Sequence, residues 1–322
     1  MTTPYKNPVL IIGGTGTVGS RIAKQLAARS ITALVASRQG TGSDNAVMFD
    51  WHEPNTWSAP FDKSKSSSDK PSSEKPASDK DTKDSKDSKD SNFVRSVYLI
   101  APPTLDSASV MMEFVDFARQ HGARRFVLQS ASAIESGGPA MGRVHAYLRE
   151  LGQRGEVEWC VLRPTWFQQN LAEQESHVRS IRDESKLYSA TGDGKIPWVS
   201  ADDIAAVAAN VLTRIDAPNT ELLVLGPELL SYNEIATMLS EILKRKIVHV
   251  DLSTAGLAQY HKSHGMPESY AHMLSNIDTC IKFGSENRTN DVVFSVTGSN
   301  PRRFRDYMES VKSVWNPVPS KA

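Results

Sequence analysis

The chain is short of several features that would assign it to a large class at once. Its 322 residues contain only two cysteines, Cys160 and Cys280, far apart and in no ligand-like spacing. That excludes a disulfide framework and a zinc motif, and no metal is expected. Cys160 falls within the apolar run Trp159–Cys160–Val161–Leu162, where a buried, reduced thiol is expected. No apolar stretch approaches ~18 residues, so no membrane span is expected. Met1 to Pro8 lacks an apolar signal core, and the expected location is cytoplasmic. Asn287–Arg288–Thr289 fits a glycosylation sequon, which means nothing without secretion. An excess of charge of either sign is also missing, since Lys+Arg and Asp+Glu both number 37. Nothing in that balance draws the chain to nucleic acid or to an anionic membrane, and neither is expected as a partner.

What is present is enough apolar material for a core, 39% of residues, arranged in alternating strand and helix patterns. Val9–Leu10–Ile11–Ile12 is a continuous apolar run ending in glycines, the pattern of a central parallel strand. A helix is predicted from about Thr17, with Val18, Ile22 and Leu26 on one face. Further strands are predicted at Ala33–Ala36, Ala46–Phe49, Val97–Ile100, Phe126–Leu128 and Trp159–Leu162, and a helix at Ser107–His121 stopped by Gly122. This alternation predicts an α/β fold, a doubly wound parallel Rossmann sheet, with a smaller C-terminal α/β substrate lobe. The expected division is a dinucleotide-binding domain over 1–165 and the lobe over 166–322, with 200–226 returning to the Rossmann core. In the lobe a helix follows Asp202 or Asp203, a strand covers Glu221–Leu225, and a final helix covers Pro301–Trp315. Ser231–Tyr232–Asn233–Glu234 is a capping box opening another helix. One segment breaks the pattern. Over 62–92 the chain is almost entirely Lys, Ser and Asp, with eight lysines against eight acidic residues. It cannot bury enough apolar surface to offset its ordering entropy, and disorder is expected there.

The sharpest motif is Gly13–Gly14–Thr15–Gly16–Thr17–Val18–Gly19, which follows a strand and opens a helix. Gly13 permits the tight turn, Gly16 lets a pyrophosphate approach the backbone, and Gly19 lets the helix pack close to the sheet. The N–H groups and partial positive charge of the helix start face the phosphates. The end of the second strand then selects the dinucleotide. It reads Ser37–Arg38–Gln39, with no carboxylate to accept from a ribose until Asp44. A guanidinium beside a hydroxyl suits the 2′-phosphate of NADPH; the alternative is that Arg38 is merely a solvated charge. Asp50 and Trp51, after the third strand, are placed to flank the adenine.

The glycine spacing resembles the extended and atypical short-chain dehydrogenases, particularly the NmrA-like group. Longer runs bring the resemblance closer: Ser130–Ala131–Ser132, Met141–Gly142–Arg143–Val144–His145, Leu162–Arg163–Pro164–Thr165–Trp166–Phe167, Ala190–Thr191–Gly192–Asp193–Gly194–Lys195–Ile196–Pro197, and Leu225–Gly226–Pro227–Glu228–Leu229–Leu230–Ser231–Tyr232. In these the chain resembles the fungal festuclavine synthase and agroclavine dehydrogenase family of ergot-alkaloid biosynthesis, over nearly its whole length except 62–92. The resemblance implies reduction by NADPH of a tetracyclic ergoline iminium formed from chanoclavine-I aldehyde. It also implies an upstream flavoprotein of the old-yellow-enzyme type, on which the choice between agroclavine and festuclavine would rest.

An absence agrees with that chemistry. Reduction of a ketone leaves an alkoxide to be protonated, usually through a Tyr-x-x-x-Lys pair. The register places Met141 and His145 at those two positions, and Tyr147 is followed four residues later by Leu151. An iminium carbon needs no proton, because hydride neutralises its existing charge. Candidate site residues follow from the strand ends, where ligands bind in doubly wound sheets. Ala101–Pro102–Pro103 would run beside the nicotinamide, and Ser132 ends the fifth strand. His145 either bonds the nicotinamide ribose or is a water-facing helix residue. Met141 and Asn170 would touch substrate. Trp166 and Phe167 are either aromatic walls for a flat cation or interdomain core, and Trp198 poses the same choice. A missing relay would equally suit an NmrA-like redox sensor that binds NADPH without turning it over.

Overall fold

The computed structural model describes residues 5–39, 42, 44–66, 93–102, 104, 107–216 and 218–316. In chain order it runs β1 (Val9–Ile12), α1 (Thr17–Ala28), β2 (Ala33–Ser37), β3 (Ala46–Met48), α2 (Ala59–Ser66), β4 (Ser96–Ile100), α3 (Ala108–Gln120), β5 (Arg125–Gln129), α4 (Met141–Gln153) and β6 (Glu158–Pro164). There follow α5 (Asn170–Glu173), α6 (Glu175–Glu184), β7 (Lys186–Ser189), α7 (Ala201–Thr213), β8 (Thr220–Val224), α8 (Tyr232–Leu243), β9 (Val248–Asp251), α9 (Thr254–Ser263), α10 (Glu268–Lys282), α11 (Val292–Thr297) and α12 (Phe304–Val311). Seven strands form one sheet in the order β3-β2-β1-β4-β5-β6-β8. β1 lies parallel to β2 and β4, with Ile11 opposite Val35 on one side and Tyr98 on the other. The order reverses at β1, as in Rossmann sheets, and places the ligand crevice at the carboxyl end of β1. The fold is doubly wound α/β, as the alternation predicted.

The chain divides into two compact units, one of 1–128, 143–160 and 211–220, the other of 129–142, 161–210 and 221–322. In the first, all four residues of β1 are buried, as a strand covered on both faces requires. In the same unit Phe49, Trp51, Trp57, Phe61, Phe114 and Phe117 form an aromatic cluster, mostly edge to face, with ring centroids 5.0 Å apart for Phe49 and Phe114 and 5.4 Å for Trp57 and Phe114. This cluster explains why Asp62–Ser66, expected to begin the unfolded insert, instead continue α2. Phe61 anchors that helix against Phe117 and His121, and Lys63 Nζ donates to the Ala46 carbonyl at 2.7 Å. The rest of the insert, 67–92, lies outside the described residues. Arg125 is buried, paired through Nε with Glu158 at 2.7 Å, and donates to the carbonyls of Val211, Arg214 and Ile215 at the carboxyl end of α7. Cys160 is free and buried, and burial pushes its thiol up to about 12, so it stays a thiol.

In the second unit Leu171, Ile181, Trp198, Tyr232, Ile235, Leu239, Phe304 and Trp315 share one core. The capping box is present, with Glu234 N donating to Ser231 Oγ at 3.2 Å and Ser231 N to Glu234 Oε2 at 2.8 Å. A parallel pair, β7 with β9, stands apart from the main sheet. Asp278 is buried on α10, where its carboxylate accepts from Ala190 N at 3.1 Å. Burial raises its pKa to about 6 from 3.8. The folded chain therefore holds this proton more tightly than the unfolded chain. Stability falls as pH rises through that interval and does not return above it. Asp278→Asn is expected to stabilise the protein by roughly 2 kcal/mol at about pH 8 and not at about pH 4, as denaturant titration at both values would show.

Candidate functional site

The turn after β1 is built by sterics at both ends. Gly13 has φ +67°, and a Cβ on it would stand 2.7 Å from Ile100 Cγ2. A Cβ on Gly19 would stand 2.4 Å from the Gly13 carbonyl oxygen and 2.9 Å from Gly14 Cα, both backbone, so only glycine lets α1 start this close to the strand. Gly16 is different. It is the N-cap of α1, extended at φ −77° and ψ 176°, and a Cβ there would meet only Gly13 O at 3.3 Å. The protein's own packing explains Gly13 and Gly19 fully but makes a smaller demand at Gly16, one tight contact with a backbone oxygen. A group lying against the backbone at Gly16 would add to that demand. The cap offers no side-chain acceptor and the first turn, with Thr17, Val18 and Gly19, carries no acidic residue. Thr15 is exposed within the turn. A dianionic pyrophosphate fits such a place by charge and by hydrogen bonding.

At the end of β2, the Ser37 hydroxyl is buried and has no hydrogen-bond partner among the described residues, and Arg38 beside it is exposed. A hydroxyl without a partner among the described residues, next to an exposed guanidinium and with no carboxylate in the sequence before Asp44, fits a phosphate ester better than a bare ribose. Ala101 and Pro102 follow β4, the latter buried; Pro103 lies outside the described residues. His145 on α4 does not face water: it is buried, its ring 5.7 Å from that of Trp159. Asp50 is bound into its own turn, accepting from His52 N at 2.9 Å, and Trp51 is packed edge-on to Phe49 and Phe114.

The second unit collects the other residues. Ser132 follows β5 and is fixed there by its N–H, which donates to the Pro164 carbonyl at 2.9 Å. Its hydroxyl donates to Glu286 at 2.7 Å, and Thr165, just past β6, donates to the other oxygen of the same carboxylate at 2.9 Å. Trp166 and Phe167 are half-buried; Trp166 packs on the core of this unit, and Phe167 bridges to Val199. Trp198 is fully in the core, edge-on to Tyr232 and Phe304. Asn170 opens α5 and its Oδ1 accepts from Gln174 at 3.0 Å, while Met141 opens α4 half-buried. Glu286 and Thr165, which join Ser132, are the functional candidates the sequence did not disclose. Among the described residues no group of three or more His, Cys, Asp or Glu side chains could hold a metal, and no helix is long and apolar enough to cross a membrane.

Festuclavine synthase II of Penicillium roqueforti is 42% identical over 310 residues, covering 95% of this chain and 99% of that one. The chain belongs to the festuclavine synthase and agroclavine dehydrogenase family. Agroclavine dehydrogenase of Claviceps fusiformis is 36% identical over 310 residues, covering 95% of this chain and 98% of its own length. The family fold is shared with triphenylmethane reductase of a Citrobacter species, whose crystal structure contains NADP(H). The TM-score is 0.66 at 16% identity, over 95% of this chain and 100% of that one. No family model matches the chain. In this family member the phenol nearest the usual relay position is occupied otherwise. Tyr147 donates to Asp116 Oδ1 at 2.6 Å, and burial with that hydrogen bond raises its pKa to about 12. Such a phenol neither releases its proton near neutrality nor has it free to give. Tyr147→Phe should change the turnover rate by less than about threefold, against the 10²–10⁴-fold that loss of a true general acid costs. Steady-state kinetics of the variant checks this.

Proposed function

We propose that the chain is an NADPH-dependent oxidoreductase of the CH–NH class that reduces the iminium carbon of a tetracyclic ergoline derived from chanoclavine-I aldehyde, giving festuclavine or agroclavine. The reading is carried by whole-length kinship with relatives named for both products. It is supported by a chain in which Met141 and His145 stand where a proton relay would be. When bound, the reduced nicotinamide supplies a hydride to the iminium carbon; the C=N π pair becomes the nitrogen lone pair, leaving a neutral amine and oxidised cofactor with no proton required. The protein then has to hold, orient and dry its ligands. Gly13, Thr15, Gly16, Thr17, Val18 and Gly19 hold the pyrophosphate. Ser37 and Arg38 take the 2′-phosphate, Ala101 and Pro102 border the nicotinamide, His145 serves its ribose, and Ser132, past the end of β5, also borders the cofactor. The lobe over 166–322 supplies Trp166, Phe167 and Asn170, and with Met141 these form the substrate walls. Aromatic faces favour a flat cation.

Which product forms depends on the iminium delivered, and so on an upstream flavoprotein of the old-yellow-enzyme type. The test is NADPH oxidation by purified protein when that iminium is supplied. Oxidation with formation of one amine per NADPH is expected. Binding of NADPH with no oxidation would overturn the enzymatic reading in favour of a redox sensor.

A further inference from the structure

Glu286 lies 154 residues after Ser132 in sequence, yet its carboxylate is the partner of that hydroxyl. It keeps only 2% of its surface, and each of its oxygens accepts from a hydroxyl: Oε1 from Ser132 at 2.7 Å, Oε2 from Thr165 at 2.9 Å. A carboxylate held this way accepts from both hydroxyls at once. Arg288 stands 3.6 Å from it and also donates to the Ser132 carbonyl at 3.3 Å. Arg163, itself buried, donates to the same carbonyl at 2.8 Å and is shared between Glu135 and Glu221. Glu135 and Glu221 are open to water and screened, whereas Glu286 is not. Ser130, two residues before Ser132, adds a buried hydroxyl with no hydrogen-bond partner among the described residues.

The direction of the two hydroxyl bonds has a chemical consequence. A hydroxyl has one proton, and Ser132 and Thr165 have both given theirs to Glu286. Toward any other neighbour each oxygen can only accept. Reduction of a carbonyl demands the opposite, a donor aimed at the oxygen where negative charge develops. A cation or an N–H donor is what acceptor oxygens backed by a buried carboxylate suit. These groups follow the carboxyl ends of β5 and β6, the edge of a doubly wound sheet that binds ligands.

We propose that Glu286 is the residue that sets specificity for a cationic carbon–nitrogen substrate over a neutral carbonyl, by holding Ser132 and Thr165 as acceptors and supplying the counter-charge. It acts through those hydroxyls and is a positioning residue. The proposal rests on the reading of the substrate as an iminium, but its test does not require turnover.

The probes are an indole-fused cyclic iminium, N-methyl-dihydro-β-carbolinium, and its neutral carbocyclic counterpart, tetrahydrocarbazole. Binding of each to the NADP-loaded protein is measured by calorimetry. The wild type is expected to prefer the cation. Glu286→Gln should weaken cation binding by at least about tenfold and leave the neutral probe within about twofold, the loss expected when a buried counter-charge is removed. Arg288→Gln should act with the opposite sign and tighten the cation several-fold, which keeps the test open if Glu286→Gln does not fold. A wild type with no preference for the cation, or variants that shift both probes alike or neither, would overturn the proposal. NADPH oxidation measured on the same wild-type sample reports separately on the iminium-reductase reading.

Discussion

Gly16→Ala is expected to leave the fold intact and to weaken NADPH binding by about a hundredfold or more. The two halves of that expectation come from different neighbours. Within the protein a Cβ at this position meets only the Gly13 oxygen, at 3.3 Å, and the backbone angles, φ −77° and ψ 176°, suit alanine. That contact is tight, and relieving it takes a shift of a few tenths of an ångström, so the folding penalty should stay near about 1 kcal/mol. A pyrophosphate bonded to the first-turn N–H groups approaches the backbone at hydrogen-bond distance and leaves no room for a methyl group. Gly19→Ala provides the contrast. Its Cβ would lie 2.4 Å from a backbone oxygen, so fold and binding should fail together. Thermal denaturation and calorimetric titration of the two variants separate these outcomes. If Gly16→Ala bound NADPH as the wild type does, the cofactor would not lie on this turn.

Arg38→Asp is expected to reverse the choice of dinucleotide. Arg38 is exposed, next to the Ser37 hydroxyl, which has no partner among the described residues, and the chain carries no carboxylate after β2 until Asp44. Loss of a charge-assisted bond to a phosphate costs roughly 1.5–3 kcal/mol, and a negative charge in its place adds repulsion. The ratio of NADPH to NADH affinity should fall by about a hundredfold or more, mostly through NADPH, while the new carboxylate can accept from the ribose of NADH. Competitive binding of the two dinucleotides measures that ratio directly. An unchanged ratio would return Arg38 to the status of a solvated surface charge.

Much of the sheet could be read from the chain because its strands are buried on both faces and so are written as unbroken apolar runs. β1 at Val9–Ile12 coincides with the predicted run, α1 starts at Thr17 where a helix was expected from about that residue, and the capping box at Ser231–Glu234 marks the start of α8. The small sheet was not legible: β7 and β9 have four residues each, half-exposed, with no run long enough to show a period. The helical start of the charged segment was hidden for another reason. Phe61 stands before it and carries the packing, while composition over a window hides a single anchor. Around the site, local spacing exposes a turn such as Gly13–Gly19 because one short stretch builds it. It cannot expose Glu286, whose partners Ser132 and Thr165 are distant in sequence. One clue was available. Arg163 at the end of an apolar strand had to be buried with partners, and its carboxylates, Glu135 and Glu221, border the same place.

Transfer of isotope from cofactor to substrate tests the reductase reading most directly. Purified protein would be given NADPH carrying deuterium at the reactive nicotinamide carbon, together with the ergoline iminium, and the amine examined by mass spectrometry. One deuterium on the former iminium carbon for each NADPH consumed is the expected result. Cofactor that stays bound and unconsumed, or an amine formed without label from either face of the ring, would contradict it.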